Sequence, residues 1–256
     1  MNVQQILDYL ETIAPTHMKY EWDNVGLLCG SCKKEVKKVL VALDPFMDVC
    51  EEAVKVGADL IVTHHPLIFR PCKSVTEDDP VGQSILYLAA HGISAVNVHT
   101  NLDCAPGGVN DVLAETLGLT DVQIIDPIGE NYGLLRKGNV KAQSLQSFLT
   151  VVKQRLGTPV LRYVDGGREV VSVAVGGGSC GDEYEAALRA GCDTLVTADV
   201  KYNQFWDAKE LGLNLIDAGH YYTENPVCTV LAQKLCEKFP MLDIMLSSHR
   251  DCMMFY

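Results

Sequence analysis

The sequence predicts an α/β protein made of two similar halves with mixed, largely parallel sheets. Three observations carry that expectation. Short strand-like apolar runs alternate with helix-like segments, which is the pattern of βαβ units. The chain also resembles itself over a long offset. Finally, 48% of its 256 residues are hydrophobic and 21% charged, the proportions of a chain able to bury a large core.

The elements follow in order. Val3, Ile6, Leu7, Leu10 and Ile13 recur at helical spacing and stop before Pro15, so an amphipathic helix opens the chain. Trp22-Asp23-Asn24-Val25-Gly26-Leu27-Leu28-Cys29-Gly30 runs from a polar turn into a short strand. A strand at Val39–Leu43, a helix from Met47 to Val56 and a strand at Leu60–Thr63 come next.

The self-resemblance sets the domain organisation. Gly57-Ala58-Asp59-Leu60-Ile61-Val62-Thr63 is echoed by Gly191-Cys192-Asp193-Thr194-Leu195-Val196-Thr197, an offset of 134. Val39–Leu43 matches Val171–Val175 at an offset of 132, and Gly92 to Val98 resembles Gly212 to Ala218 at 120. The second copy is therefore 14 residues shorter between its last two landmarks. A period this long is no solenoid. Two α/β halves are expected, 1–126 and 127–256, joined near Asp126-Pro127-Ile128-Gly129.

Charge and cysteine usage exclude other classes. The formal charge is −12, and the main basic cluster, Lys33-Lys34 with Lys37-Lys38, is broken by Glu35, so nucleic acid is not the expected partner. The first ten residues lack a basic segment followed by an apolar one, and charges or turns interrupt every apolar run before membrane-spanning length. Ten cysteines are scattered rather than clustered. The expectation is a reduced, cytoplasmic protein.

Ligands of open α/β sheets bind beyond the carboxyl ends of the strands. There the sequence places His64-His65-Pro66, then His99-Thr100-Asn101-Leu102-Asp103, then Gly219-His220-Tyr221-Tyr222-Thr223-Glu224. Four of seven histidines stand at these ends with two carboxylates; His17, His91 and His249 read as isolated. Adjacent histidines on a regular strand face opposite ways, so His64 and His65 share a site only if Pro66 turns the chain. His220 and Glu224 lie on one face if a helical turn begins there. Imidazole with carboxylate suits Zn²⁺, Fe²⁺, Mn²⁺ or Ni²⁺. Strand-end histidines also cap helices or bind water.

Trp22-Asp23-Asn24-Val25-Gly26-Leu27, Gly57 to Pro66, Asn97-Val98-His99-Thr100-Asn101-Leu102-Asp103 and Asp217-Ala218-Gly219-His220-Tyr221-Tyr222-Thr223-Glu224 closely resemble the NIF-three-like dinuclear metal-centre family, whose members are often labelled GTP cyclohydrolase 1 type 2 homologues. The resemblance covers nearly the whole chain. It implies two interlocked α/β repeats, two divalent metal ions held by His64, His65, Asp103, His220 and Glu224, and a ring-shaped homohexamer. The domain that longer members insert between the halves is missing from this sequence. Many members carry a histidine where this chain has Asn203, which is left out of the ligand set. His99 is expected beside the ligands or facing substrate.

Weaker signals remain open. Asp199 occupies in the second half the place of His65 in the first, as an orienter near the site or as a helix N-cap. Gly176-Gly177-Gly178-Ser179-Cys180-Gly181 lies between a strand and a helix, as phosphate-cradling loops do, without the P-loop or dinucleotide spacing. It reads as a turn approaching the metals or as a purely structural one. Cys29-Gly30-Ser31-Cys32 lacks a second CxxC and reads as a buried thiol beside a turn. Two ions would favour hydrolysis of a small-molecule substrate, a nucleotide being one candidate. No catalytic residue is assigned, and a metal-binding chaperone, sensor or scaffold without turnover is the competing reading.

Overall fold

In the computed structural model, which describes all 256 residues, the chain enters α1 (Val3–Ile13) through a reciprocal cap. Asn2 accepts from the Gln5 amide, and the Gln5 side chain accepts from the Asn2 N–H, so two otherwise unpaired donors are satisfied. Then come β1 (Gly26–Cys29), β2 (Lys38–Ala42), α2 (Met47–Val56), β3 (Leu60–Thr63), α3 (Pro80–Ala90), β4 (Ser94–Asn97), α4 (Thr100–Cys104), α5 (Val109–Leu117) and β5 (Thr120–Ile125). After β6 (Leu135–Gln143) the order recurs: α6 (Leu145–Leu156), β7 (Arg162–Val164), β8 (Val170–Val175), α7 (Tyr184–Arg189), β9 (Thr194–Thr197), α8 (Tyr202–Glu210), β10 (Asn214–Asp217), α9 (His220–Glu224), α10 (Pro226–Lys238) and β11 (Asp243–Leu246).

The chain divides into two compact units, Met1–Leu102 with Cys228–Cys252, and Asp103–Val227 with Met253–Tyr256. The first holds a five-stranded sheet ordered β1-β4-β3-β2-β11. Its last four strands run parallel, and β1 is antiparallel on β4. β3 is buried at all four positions, as a parallel strand covered on both faces must be. Leu40, Ile61, Val49, Ala53 and Leu88 join strand and helix side chains in its core.

The second unit holds a six-stranded mixed sheet, β5-β6-β8-β9-β10-β7, with β8, β9 and β10 parallel and the other pairs antiparallel. Side chains alternate between two cores, one on each face. Val173, Val175, Val196 and Ile216 pack with α5 and α6, whereas Ala174, Leu195 and Leu215 pack with α7 and α8, as a period of two requires.

The repeat read from the sequence has a physical basis. Gly57 and Gly191 both take the left-handed conformation that ends a helix, at φ 71° and 80°. Two residues on, Asp59 Oδ2 accepts from the Lys37 and Lys38 amides, and Asp193 Oδ2 accepts from those of Val171 and Ser172. Of the 14 residues absent from the second copy, 12 come from the connection between β3 and α3, 64–79 against 198–201 between β9 and α8, and two from the longer α3. The final strand of each copy lies in the sheet of the other unit: β5 pairs with β6, and β11 pairs with β2.

Candidate metal centre

β3 ends at Thr63, and the bend before Pro66 brings the next two imidazoles together instead of opposing them: the His64 and His65 rings lie 4.9 Å apart. β4 delivers His99, whose ring is 5.2 Å from that of His64 and 5.6 Å from that of His65. One ligand atom from each of the three lies within 4.8 Å of the others.

Each ring is held the same way. His64 Nδ1 meets the Val98 carbonyl at 2.9 Å, His65 Nδ1 meets Asp44 Oδ1 at 2.6 Å, and His99 Nδ1 meets Asp23 Oδ1 at 2.8 Å. Those oxygens can only accept, so in the neutral ring the proton sits on Nδ1 and the lone pair on Nε2. This is the support that metal-ligating histidines carry.

Asp23 is buried and also accepts from the Thr100 amide and hydroxyl at the start of α4. Burial pushes its carboxyl up, but the His99 and Thr100 hydrogen bonds outweigh burial and hold it at about 2. A depressed carboxylate stabilises the fold above its unfolded pKa and loses that contribution as pH falls through the folded value. Acid unfolding of the wild type should therefore include a loss of about 2 kcal/mol between pH 4 and 2. Denaturant titrations across that window should show a shallower pH dependence for Asp23→Asn.

In the second unit, Gly219 at φ 85° turns the chain from β10 into α9. His220 and Glu224 then share a helix face, with His220 Nε2 3.0 Å from Glu224 Oε2. His220 Nδ1 is anchored by Asp199 Oδ2 at 2.7 Å. Burial pulls the His220 pKa down, but the Glu224 charge and the Asp199 and Glu224 hydrogen bonds overcome it and raise it to about 11. Asp199 adopts φ 51° and also accepts from Ser179 Oγ. Its side chain serves the His220 ring and not a helix cap, since the N-cap of α8 is Lys201.

Asp103 and Glu224 are both buried, and both carboxylates lie near enough to Cys180 to add to the effect of burial in driving its thiol upward. Asp103 stands near the end of α4. Asn110 Nδ2 donates to its carbonyl, and Arg136 Nη2 donates to the next two carbonyls, those of Cys104 and Ala105.

The glycine-rich turn approaches this group. A Cβ at Gly178 would fall far inside van der Waals contact of Glu224 Oε1 and 3.1 Å from His220 Nε2. Four of the turn's amides are spent internally, which argues against a phosphate cradle: Gly176 donates to the Val196 carbonyl, Gly177 to Asn110 Oδ1, Gly178 to Thr223 Oγ1 and Cys180 to Thr197 Oγ1. Cys29 is half-buried, and burial raises its thiol, as in an inert cysteine.

The structure thus gathers His64, His65 and His99 in the first unit, and places Asp103, His220 and Glu224 around the glycine turn and Cys180 in the second. The donors are imidazole nitrogens and carboxylate oxygens, a set that fits a borderline divalent ion. His249 is not isolated, as its sequence context suggests, but paired with two carboxylates. Its Nε2 lies 3.3 Å from Asp44 Oδ2 and its Nδ1 2.5 Å from Asp48 Oδ2, because β11 carries the C-terminal segment to the edge of the first sheet beside β2. Asp23 and Asp44 were also missed as supports, although Asp44 follows the end of β2 and a search of strand ends for carboxylates would have found it.

The family model described as Duf34/NIF3 (NGG1p interacting factor 3) matches residues 1–252. A protein of Clostridium perfringens named GTP cyclohydrolase 1 type 2 homolog is 37% identical over 242 residues, covering 93% of the chain and 92% of that protein. Among solved structures, a hypothetical protein of Staphylococcus aureus superposes with a TM-score of 0.95 at 29% identity, covering 100% of the chain and 99% of the other. Reduced HcgD from Methanocaldococcus jannaschii superposes at 0.84 with 31% identity, covering 97% and 98%.

Proposed function

The chain belongs to the Duf34/NIF3 family, and we propose that it is a dinuclear metal-dependent hydrolase in which His64, His65, Asp103, His220 and Glu224 hold two divalent ions. One observation carries the reading: four imidazoles, those of His64, His65, His99 and His220, each have Nδ1 secured by an oxygen acceptor. His91 and His249 are held at Nδ1 in the same way, but the four stand at three strand ends with buried carboxylates, where a ligating imidazole gains fixed orientation and basicity from such support. Bound ions would supply Lewis acidity toward a carbonyl, imine or phosphoryl oxygen and would lower the pKa of water.

The chain's own groups do the rest. Asp199 and Glu224 flank the His220 ring and favour its charged form, so binding an ion there would require the ring to give up its Nε2 proton. Trp22 and Phe69, both about half exposed, stand edge-on to His99 at 6.2 and 6.1 Å. Tyr20 stacks on one face of Trp22, and the exposed remainder of Trp22 and Phe69 offers a surface to a planar heteroaromatic substrate, in keeping with the cyclohydrolase name of the relatives. The ring-shaped homohexamer and a nucleotide as substrate belong to the same proposal.

Elemental analysis of protein purified without chelator tests the reading. Near two ions per chain are expected in wild type, with a clear fall in Glu224→Ala. Near zero in both, even after reloading with Zn²⁺, Fe²⁺ or Mn²⁺, would overturn it. Full metal without turnover across nucleotide, phosphoester and amide substrates would favour a metal-binding scaffold instead.

A further inference from the structure

One acidic group touches both a proposed ligand and the C-terminal segment. Asp44 Oδ1 meets His65 Nδ1 at 2.6 Å, and its other oxygen lies 3.3 Å from His249 Nε2. The opposite nitrogen of His249 is 2.5 Å from Asp48 Oδ2. The segment carrying His249 is itself tied down, since Ser247 Oγ and the Ser248 amide both donate to Glu52 on α2. A continuous run of oppositely charged groups therefore leads from α2, through His249 and Asp44, to the ring of His65.

We propose that Asp44 and His249 are positioning residues for His65, with Asp44 fixing the ring so that Nε2 carries the lone pair, and the C-terminal His249 fixing the Asp44 carboxylate. This rests on His65 being a metal ligand. A carboxylate behind a ligating imidazole orients it and raises its basicity. Burial opposes ionisation of Asp44, but hydrogen bonds from His249 and His65 hold its carboxyl below the usual range. Hydrogen bonding and charge from Asp44 and Asp48 outweigh burial and raise His249 to about 9, so the ring favours its charged form, hydrogen-bonded to Asp48 through Nδ1 and ion-paired with Asp44 through Nε2.

The arrangement makes an isosteric substitution informative. In Asp44→Asn the amide has one oxygen and one NH₂ group. The His249 donor takes the oxygen, so the NH₂ group faces His65 Nδ1, which must then accept. The His65 proton is driven to Nε2, the atom the ion needs. The site keeps its shape and loses its lone pair.

Co²⁺ titration of the full chain, followed by ligand-field absorption, reads this directly. Asp44→Asn is expected to weaken Co²⁺ binding about 10- to 100-fold and to change the spectrum; its melting temperature in chelator should fall as the pairs with His65 and His249 are lost, so affinity is compared below that temperature, on folded protein. Adding His249→Ala to Asp44→Asn frees the amide to turn its oxygen toward His65, and part of the affinity should return. A purely structural role predicts no such recovery. Among single variants, His249→Ala should lose affinity and His249→Gln, which keeps a donor to Asp44, should retain more of it; this pair decides the matter if Asp44→Asn fails to fold.

Wild-type affinity and spectrum in Asp44→Asn, or equal behaviour of the two His249 variants, would overturn the inference. If Glu224→Ala nonetheless abolishes Co²⁺ binding, the metal reading stands and only the positioning role falls. If wild type takes up no Co²⁺, both fall.

Discussion

With the proposed ligands as the metal site, Gly178→Ala is expected to lose most of the metal that wild type takes up. The residue sits at φ 63°, where a β-carbon costs about 1 kcal/mol. The larger penalty is steric, since the new methyl would overlap Glu224 Oε1 and press on His220 Nε2. Glu224 is only 4% exposed, so its carboxylate has no solvent to swing into, and the Gly178 amide is pinned to Thr223 Oγ1 on α9. Either the turn or the carboxylate must move, and both arrange the proposed ligands. Metal affinity should fall by about ten-fold or more, the scale on which misplacing a ligand's surroundings acts. Gly57→Ala is the control. It meets the same backbone cost at φ 71° with nothing within 4 Å of its Cβ, so it should lose stability and keep its metal. Elemental analysis beside thermal melting in chelator separates the two effects, and equal metal content in both variants would remove the glycine turn from the site.

The same turn marks how far the sequence could be read. Its glycines were visible, but their purpose was not, because a phosphate cradle and a close approach to side chains call for the same small residues. Only the hydrogen bonding of Gly177, Gly178 and Cys180 decides. The repeat was legible because it rests on local rules: a left-handed glycine ends a helix, and an aspartate two residues later pins the start of the neighbouring strand. The positions of His64, His65, His99 and His220 were legible for a related reason, since strand ends are where such sheets bind ligands.

Partners distant in the chain were not legible. Asp23 meets His99 across 76 residues, and His249 meets Asp48 across 201. No periodicity encodes those contacts. The pairing of β11 with β2 was hidden likewise, for a four-residue strand carries no mark of which sheet it will join, and without that pairing His249 has no reason to lie beside Asp44.

Arg136 went unnoticed in the sequence, and its replacement should give the largest loss of stability. It is 1% exposed, far more deeply buried than arginines usually are. Nε donates to Asp111 Oδ1 at 2.5 Å and Nη1 to the Gly133 carbonyl at 2.6 Å. Nη2 reaches Asp111 Oδ2 and the carbonyls of Cys104 and Ala105. One guanidinium thus satisfies the turn between α4 and α5, the first turn of α5 and the start of β6, a spread of donors that lysine cannot supply. Arg136→Met fills similar volume but strands these acceptors, and breaking a buried pair from one side costs about 3–5 kcal/mol. Asp111 keeps some solvent access, with its side chain 28% exposed, so the lower end applies. That corresponds to a fall in melting temperature of about 6–12 °C for a chain of this size. Asp103 immediately precedes the carbonyls that Arg136 holds, so metal content should fall as well, and Arg136→Lys should restore only part of either. A melting temperature within about 2 °C of wild type in Arg136→Met would show that the α4–α5 turn is held by its own packing, because a loss of even 1 kcal/mol would exceed that shift.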